Sequence, residues 1–227
     1  MSYSFVARFD TVELPLAELL ARLKVALHEQ EIDFAGSVTQ LIEHRKWPTP
    51  IDVRDAVDLQ GTPVDSIEEI VPLVRRWWGV SLYCVSRRIA RVFGRSDAME
   101  VDVALYPRAG GKWSLLYTES SSVQEHRLMN DDSAAELYGL QIGFASRIGF
   151  TASIYDEDEH RGEPVVDLGQ VEQRISAASR GDLGCSVVVS HKLLDLQRAR
   201  ALAGTKGSLV RVATPGFVLG AFLQPDG

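Results

Sequence analysis

The chain has 227 residues, 45% of them apolar and 24% charged, which is the composition of a water-soluble globular protein with a core large enough to need no metal or disulfide staple. Its formal net charge is −7 and its isoelectric point is near 5.3, which disfavours phosphate-backbone binding, because that rests on clustered Lys and Arg. No apolar run approaches the ~18 residues a membrane helix requires, and the first ten residues, MSYSFVARFD, lack the basic and apolar regions of a signal peptide.

In chain order, YSFVARF (3–9) alternates and predicts a strand. PLAELLARLKVALHEQE (15–31) puts Leu16, Leu19, Leu20, Leu23 and Leu27 on one helical face, with Pro15 at the first turn. FAGSVTQLIEHRKW (34–47) reads as a shorter helix. KWPTPIDVRDAVDLQGTP (46–63) carries three prolines and reads as a long connection, and it is the best place for a weak subdivision. DSIEEIVPLVRRWW (65–78) opens on two capping residues, Asp65 and Ser66, with Glu68 and Glu69 three positions on. Pro72 is expected to end or kink that helix.

GVSLYCVS (79–86) predicts a strand, and RRIARVFG reads equally as strand or helical turn. MEVDVALY (99–106) and KWSLLYTES (112–120) alternate around PRAGG, a hairpin signal. DDSAAELYGLQIGFASRIG (131–149) is a capped helix ending on Gly149. Gly139 and Gly143 within it imply a close approach by another element. FTASIYD (150–156) predicts a strand, DLGQVEQRIS (167–176) a short helix. CSVVVSH (185–191), LLDLQRARALAG (193–204), SLVRVA (208–213) and FVLGAFL (217–223) predict strand, helix, strand and strand. The fold expected is α+β: mixed, largely antiparallel sheet packed by amphipathic helices, as a single domain over 1–227 with a weak division near 46–64.

Chemistry-bearing motifs are scarce. RAGGKW and AGTKGS complete no phosphate loop, no nucleophile elbow occurs, and no C-x-x-C or H-x-x-x-H pair offers a zinc site. Cys84 and Cys185 sit in apolar runs and read as buried thiols. His28, His44, His126, His160 and His191 each stand alone in their segments. Arg75–Arg76 and Arg87–Arg88–Arg91 are short basic clusters that fit exposed faces better than a polyanion site. The expectation is no catalytic set, no metal and no cofactor.

One stretch stands apart. YDEDEHRGE (155–163) holds five carboxylates: Asp156, Glu157, Asp158, Glu159 and Glu163. Numbered as a calcium loop from Asp156, it has His160 at a ligand position and Arg161 where the turn glycine belongs, so that reading fails. Two readings stay open: a solvated loop after a buried strand, or an acidic contact surface for a basic partner. The segment ASRIGFTASIYDEDE (145–159) resembles immunity proteins of bacterial polymorphic toxin systems, in which a helix runs into a strand and then an acidic loop. The resemblance covers a small part of the chain. It implies a bacterial, cytoplasmic protein that blocks a toxin domain by stoichiometric binding, with the five carboxylates as its contact surface, and with no nucleic-acid or membrane partner. Two alternatives stand beside it. One is an enzyme or small-molecule binder with a site assembled from distant residues such as His191, Glu119 and His126. The other is a structural component of a bacterial assembly, anchored by Trp77, Trp78 or Trp113.

Overall fold

The computed structural model describes residues 4–11, 14–41, 61–77, 79–107, 109–120, 131–157, 186–190, 194–204, 209–214 and 217–222. The strands are β1 (Ser4–Thr11), β2 (Ile32–Leu41), β3 (Thr62–Pro63), β4 (Gly79–Ser86), β5 (Met99–Pro107), β6 (Trp113–Ser120), β7 (Phe150–Glu157), β8 (Ser186–Ser190), β9 (Leu209–Thr214) and β10 (Phe217–Phe222). The helices are α1 (Leu16–Glu29), α2 (Val71–Arg76), α3 (Arg87–Val92), α4 (Asp131–Ile148) and α5 (Leu196–Gly204), with a 3-10 turn at Ile67–Ile70 just before α2. The described strands form one sheet in the order β3-β2-β4-β5-β6-β1-β7-β8-β10-β9. Every described pairing in it is antiparallel, so the α+β class expected from the sequence holds.

Period-two alternation decides the two faces. Val80, Leu82 and Cys84 of β4 stand in register with Leu105, Val103 and Val101 of β5, and Leu105 and Val103 in turn pair with Leu115 and Tyr117 of β6. These residues are buried together with Leu19, Leu20, Leu23 and Leu27 of α1 and Leu140, Phe144 and Ile148 of α4. Phe144 meets Tyr117 with ring centroids 5.9 Å apart, a tilted aromatic contact. This is the helix face. The far face carries Ser81, Tyr83 and Val85, then Glu100, Asp102, Ala104 and Tyr106, then Ser114, Leu116 and Thr118.

Local chemistry sets most boundaries where the sequence puts them. Gly149, at φ 72°, caps α4, and its N–H donates to the Ala145 carbonyl at 3.1 Å. Pro72 falls in the first turn of α2, directly after the 3-10 turn, so the expected break lies where the proline ring disfavours continued helix. Asp65 N–H, one residue before the N-cap Ser66, donates to Glu69 Oε2 at 3.2 Å, and Ser66 makes no side-chain cap, so the expected capping box does not form. The ambiguous RRIARVFG is helical from Arg87 because Ser86 Oγ accepts from Ile89 N–H at 3.2 Å.

One expectation is overturned. Residues 34–41 of the supposed helix over 34–47 are strand β2, and 42–47 lie outside the described residues. The cause is a bulge. Phe34 pairs with Cys84 and Val38 with Leu82, so Ala35, Gly36 and Ser37 together oppose Tyr83 alone. Gly36 supplies the left-handed turn, at φ 78°, and its carbonyl accepts from Val64 N–H at 3.0 Å. The bulge breaks the alternation from which a strand would have been read. The long connection before residue 61 and the expected helix over 167–176 lie outside the described residues.

Candidate functional site

The acidic stretch begins inside the sheet. Asp156 pairs with Val6 and Glu157 with Phe5, both near the end of β7. Asp158, Glu159 and Glu163 lie outside the described residues. Consecutive strand residues belong to opposite faces, so Asp156 and Glu157 occupy different cross-strand rows. Glu157 shares the row of Phe5, Glu119 and the helix face. Asp156 shares the far-face row that runs through Val6, Thr118, Asp102 and Tyr83.

That far-face row is polar. The Tyr83 hydroxyl donates to Glu100 Oε1. The bond to this carboxylate, more than burial or the charges of Glu100 and Asp102, pushes the phenol up to about 12. Burial, and after it the charge of Glu100, raises the Asp102 carboxyl above its ordinary range. Thr118 stands directly opposite Asp102, and its Oγ1 is buried with no hydrogen-bond partner. Ser81 Oγ, on the same face, is also without a partner, and Ser81 is only 5% exposed. The far face is closed at Ser81, Ala104, Tyr106, Ser114 and Leu116, and opens through half-buried Tyr83, Asp102 and Thr118 to exposed Glu100.

Other charges are paired. Glu18 pairs with Arg22 at 2.5 Å and Glu68 with Lys24 at 2.7 Å on the helix side, and Asp33, opposite far-face Val85, pairs with Arg87 at 3.0 Å. Glu31 pairs with Arg91, and Glu29 with Arg147, whose Nε donates to Glu29 Oε2 at 2.7 Å. All are solvent-exposed pairs, which water and salt screen to little net stabilisation. The hydrogen bond from Arg147 is also what holds the Glu29 carboxyl below its ordinary range. Arg88 donates to Gln30 Oε1 at 2.8 Å. The cluster Arg87–Arg88–Arg91 is therefore engaged with Asp33, Gln30 and Glu31 from the end of α1 and the start of β2.

The alternative residues fare unevenly. Glu119 is 1% exposed, and Tyr117 Oη donates to its Oε1 at 3.0 Å, inside the helix-face core. His126 and His191, its suggested companions, lie outside the described residues, as do His44 and His160. His28 is exposed in the last turn of α1. Trp77 and Trp113 are partly buried against the core, and Trp113 Nε1 donates to the Leu14 carbonyl at 3.1 Å, so neither stands out as an exposed anchor. Trp78 and Cys185 lie outside the described residues. Cys84 is buried, and desolvation pushes its thiol up to about 12, which suits an inert core sulfur. Among the described residues, no group of three or more His, Cys, Asp or Glu side chains could hold a metal ion, and no helix is long and apolar enough to cross a membrane.

No family model matches the chain, and no curated protein matches it. Among solved structures it is similar to the Pseudomonas aeruginosa T6SS protein PA0821, at 12% identity and a TM-score of 0.43. The alignment covers 96% of this chain and spans 64% of the length of that one. The site therefore rests on its own geometry. Its members Tyr83, Glu100, Asp102 and Thr118 escaped the sequence reading, although MEVDVALY carried a usable signal. Glu100 and Asp102 sit two apart in an alternating strand, which assigns both carboxylates to the face opposite Val101 and Val103.

Proposed function

We propose that this chain is a cytoplasmic protein-binding module of the immunity type, which neutralises a basic toxin domain by stoichiometric occlusion. Its contact surface includes Asp156, Glu157, Asp158, Glu159 and Glu163. The observation that carries the reading is a difference in how carboxylates are matched. Those of the helices, and Asp33 on the far-face row of Val85, are met by arginines and a lysine. Glu100 is instead held by the neutral Tyr83 hydroxyl, and Asp102 lies under the field of Glu100. Asp156 belongs to the same cross-strand row as Asp102, so the acidic stretch extends a row in which, among the described residues, no cation pairs with Glu100 or Asp102. Complementary charge of this kind steers encounter and fixes orientation.

The test is co-expression with a basic C-terminal toxin domain encoded beside this chain. A one-to-one complex and protection from the toxin are expected. Reversing Asp156, Asp158 and Glu159 to lysine should weaken binding at low salt by about tenfold or more, as loss of close charge pairs does. Binding unchanged by the reversal would remove the acidic stretch from the contact surface. Absence of any complex would remove the function.

A further inference from the structure

We propose that the end of the sheet where α2 runs into β4, beside the β5–β6 hairpin turn, is a docking surface for an acidic peptide segment, held by Arg75, Arg76 and Lys112. The proposal goes beyond the preceding reading and does not depend on it. The partner it names is opposite in charge to a basic toxin domain. It also meets the other end of the strands from Glu100 and Glu157.

Arg22, Lys24, Arg87, Arg91 and Arg147 are each paired with a carboxylate. Among the described residues, Arg75, Arg76 and Lys112 are exposed and pair with none, in a chain whose net charge is −7. The fold gathers these three. Val80, Leu105 and Leu115 form one row across β4, β5 and β6. Arg76 lies four residues before Val80 and Lys112 three before Leu115, so both sit at the same end of the sheet. Two strand spacings, about 10 Å, separate β4 from β6. Each basic site directly precedes an anchored tryptophan. Trp77 and Trp113 are partly buried against the core. Trp77 N–H donates to the Leu73 carbonyl at 2.7 Å, and Trp113 Nε1 to the Leu14 carbonyl at 3.1 Å. The backbone beneath the charges is thus fixed in advance, which lowers the ordering cost of binding.

The chemistry selects the occupant. Arg75 and Arg76 end α2, where the helix dipole places roughly half a negative charge. Two guanidinium charges exceed that, so the end stays positive. The cations stand on two separate elements, so they match carboxylates spaced along an extended segment better than a single small anion. The guanidinium fork suits carboxylate geometry. Beside Lys112 the hairpin is bare: Gly110 and Gly111 lie at φ 72° and 70°, and a Cβ on Gly110 would meet nothing within 4 Å. A peptide has room to lie there. Nucleic acid fits less well. Three cations displace few counterions, the two tryptophans are held against the core rather than offered for stacking, and the net charge of −7 repels a dense polyanion.

The experiment uses the full chain at low ionic strength and three probes: hexaglutamate, hexalysine and a six-nucleotide oligothymidylate. The readouts are the backbone amide signals of Gly110 and Gly111 and the indole N–H signal of Trp113. Hexaglutamate is expected to move them saturably, with an affinity that falls as salt rises. Hexalysine is expected to leave them in place. Arg75→Gln with Arg76→Gln should weaken hexaglutamate binding by about fivefold or more, and Lys112→Gln by about threefold, with the remaining spectrum folded. Arg95→Gln with Arg200→Gln removes the same charge from two other exposed cations that pair with no described carboxylate. That control should change the affinity by less than roughly twofold, since distant exposed charges are screened. Stationary Gly110, Gly111 and Trp113 signals, or an equal loss from the Arg95 and Arg200 control, would overturn the proposal. Tighter binding of the oligothymidylate than of hexaglutamate would overturn it in favour of a nucleic-acid partner.

Discussion

Asp102 is a carboxylate held where its charge is disfavoured, by burial first and by Glu100 second. Its folded-state affinity for a proton exceeds its unfolded one. The stability it lends is therefore full below its ordinary value of 3.8 and is lost as pH rises through the raised folded value. At neutral pH the ionised group opposes folding. Asp102→Asn should accordingly melt higher than the parent at neutral pH, by a few degrees, since about 1 kcal/mol moves the midpoint of a domain this size by roughly 2–4 °C. The advantage should vanish as pH falls through that window. Glu29 and Glu68 have lowered values, held chiefly by hydrogen bonds from Arg147 and Lys24. Their contribution runs the other way, present above 4.5 and lost as pH falls, but it is common to both proteins and cancels in the comparison. Thermal melts of the pair across the acid range decide the matter: a pH-independent difference would mean that the Asp102 carboxyl is not the group responsible.

At the scale of elements, the tightest join is between α1 and α4. Gly143 lies against Gln30, and a Cβ on Gly143 would collide with the Gln30 carboxamide. That carboxamide is nearly buried and accepts from Arg88, so it is not free to swing aside. Alanine at 143 would gain about 1 kcal/mol of helix propensity over glycine, but the displaced Gln30 would lose its bond and strain the contact. Gly143→Ala should therefore destabilise by about 1–2 kcal/mol, the range of small core overpacking. In a Gln30→Ala background the same change should be neutral or stabilising. Denaturant midpoints of the four proteins give the coupling, and additive effects would refute the contact.

Glycine spacing announced this join, because two glycines one turn apart in an otherwise good helix ask for a close neighbour. The partner was not legible, since Gln30 sits far away in the chain and nothing local marks it. The same division holds elsewhere. Gly149, Pro72 and the PRAGG hairpin set local boundaries through their own backbone preferences, and each lies where the sequence places it. The bulge at Gly36 and the far-face row depend on which strands pair, and pairing is non-local. Glu31 is a further case: it adopts φ 56°, where glycine would be expected, and is backed by its contact with Arg91 and by Arg87 N–H donating to its carbonyl at 3.1 Å.

At the scale of the whole molecule, β1 joins the two parts of the sheet. It lies between β6 and β7, with Ala7 paired to Tyr117 on one side and Tyr155 on the other. Strands β2 to β6 lie to one side of it and β7 to β10 to the other. The proposed contact surface spans this join, because the row from Tyr83 through Asp102 and Thr118 reaches Asp156 only by way of Val6. Both pairings of β1 close long stretches of chain, which makes them late and costly in entropy but cooperative once formed. Proline at position 7 removes a ladder donor and forces the central strand out of geometry, at a cost of about 3 kcal/mol or more. Ala7→Pro should therefore raise amide exchange in β6 and β7 together, measured by mass spectrometry on peptides covering 113–120 and 150–157. A proline at Val212, in edge strand β9, should raise exchange only in β9 and β10. If Ala7→Pro loosened β7 and left β6 protected, the two sides would be separate folding units, and an acidic row continuous across β1 would not be a rigid surface for any partner to read.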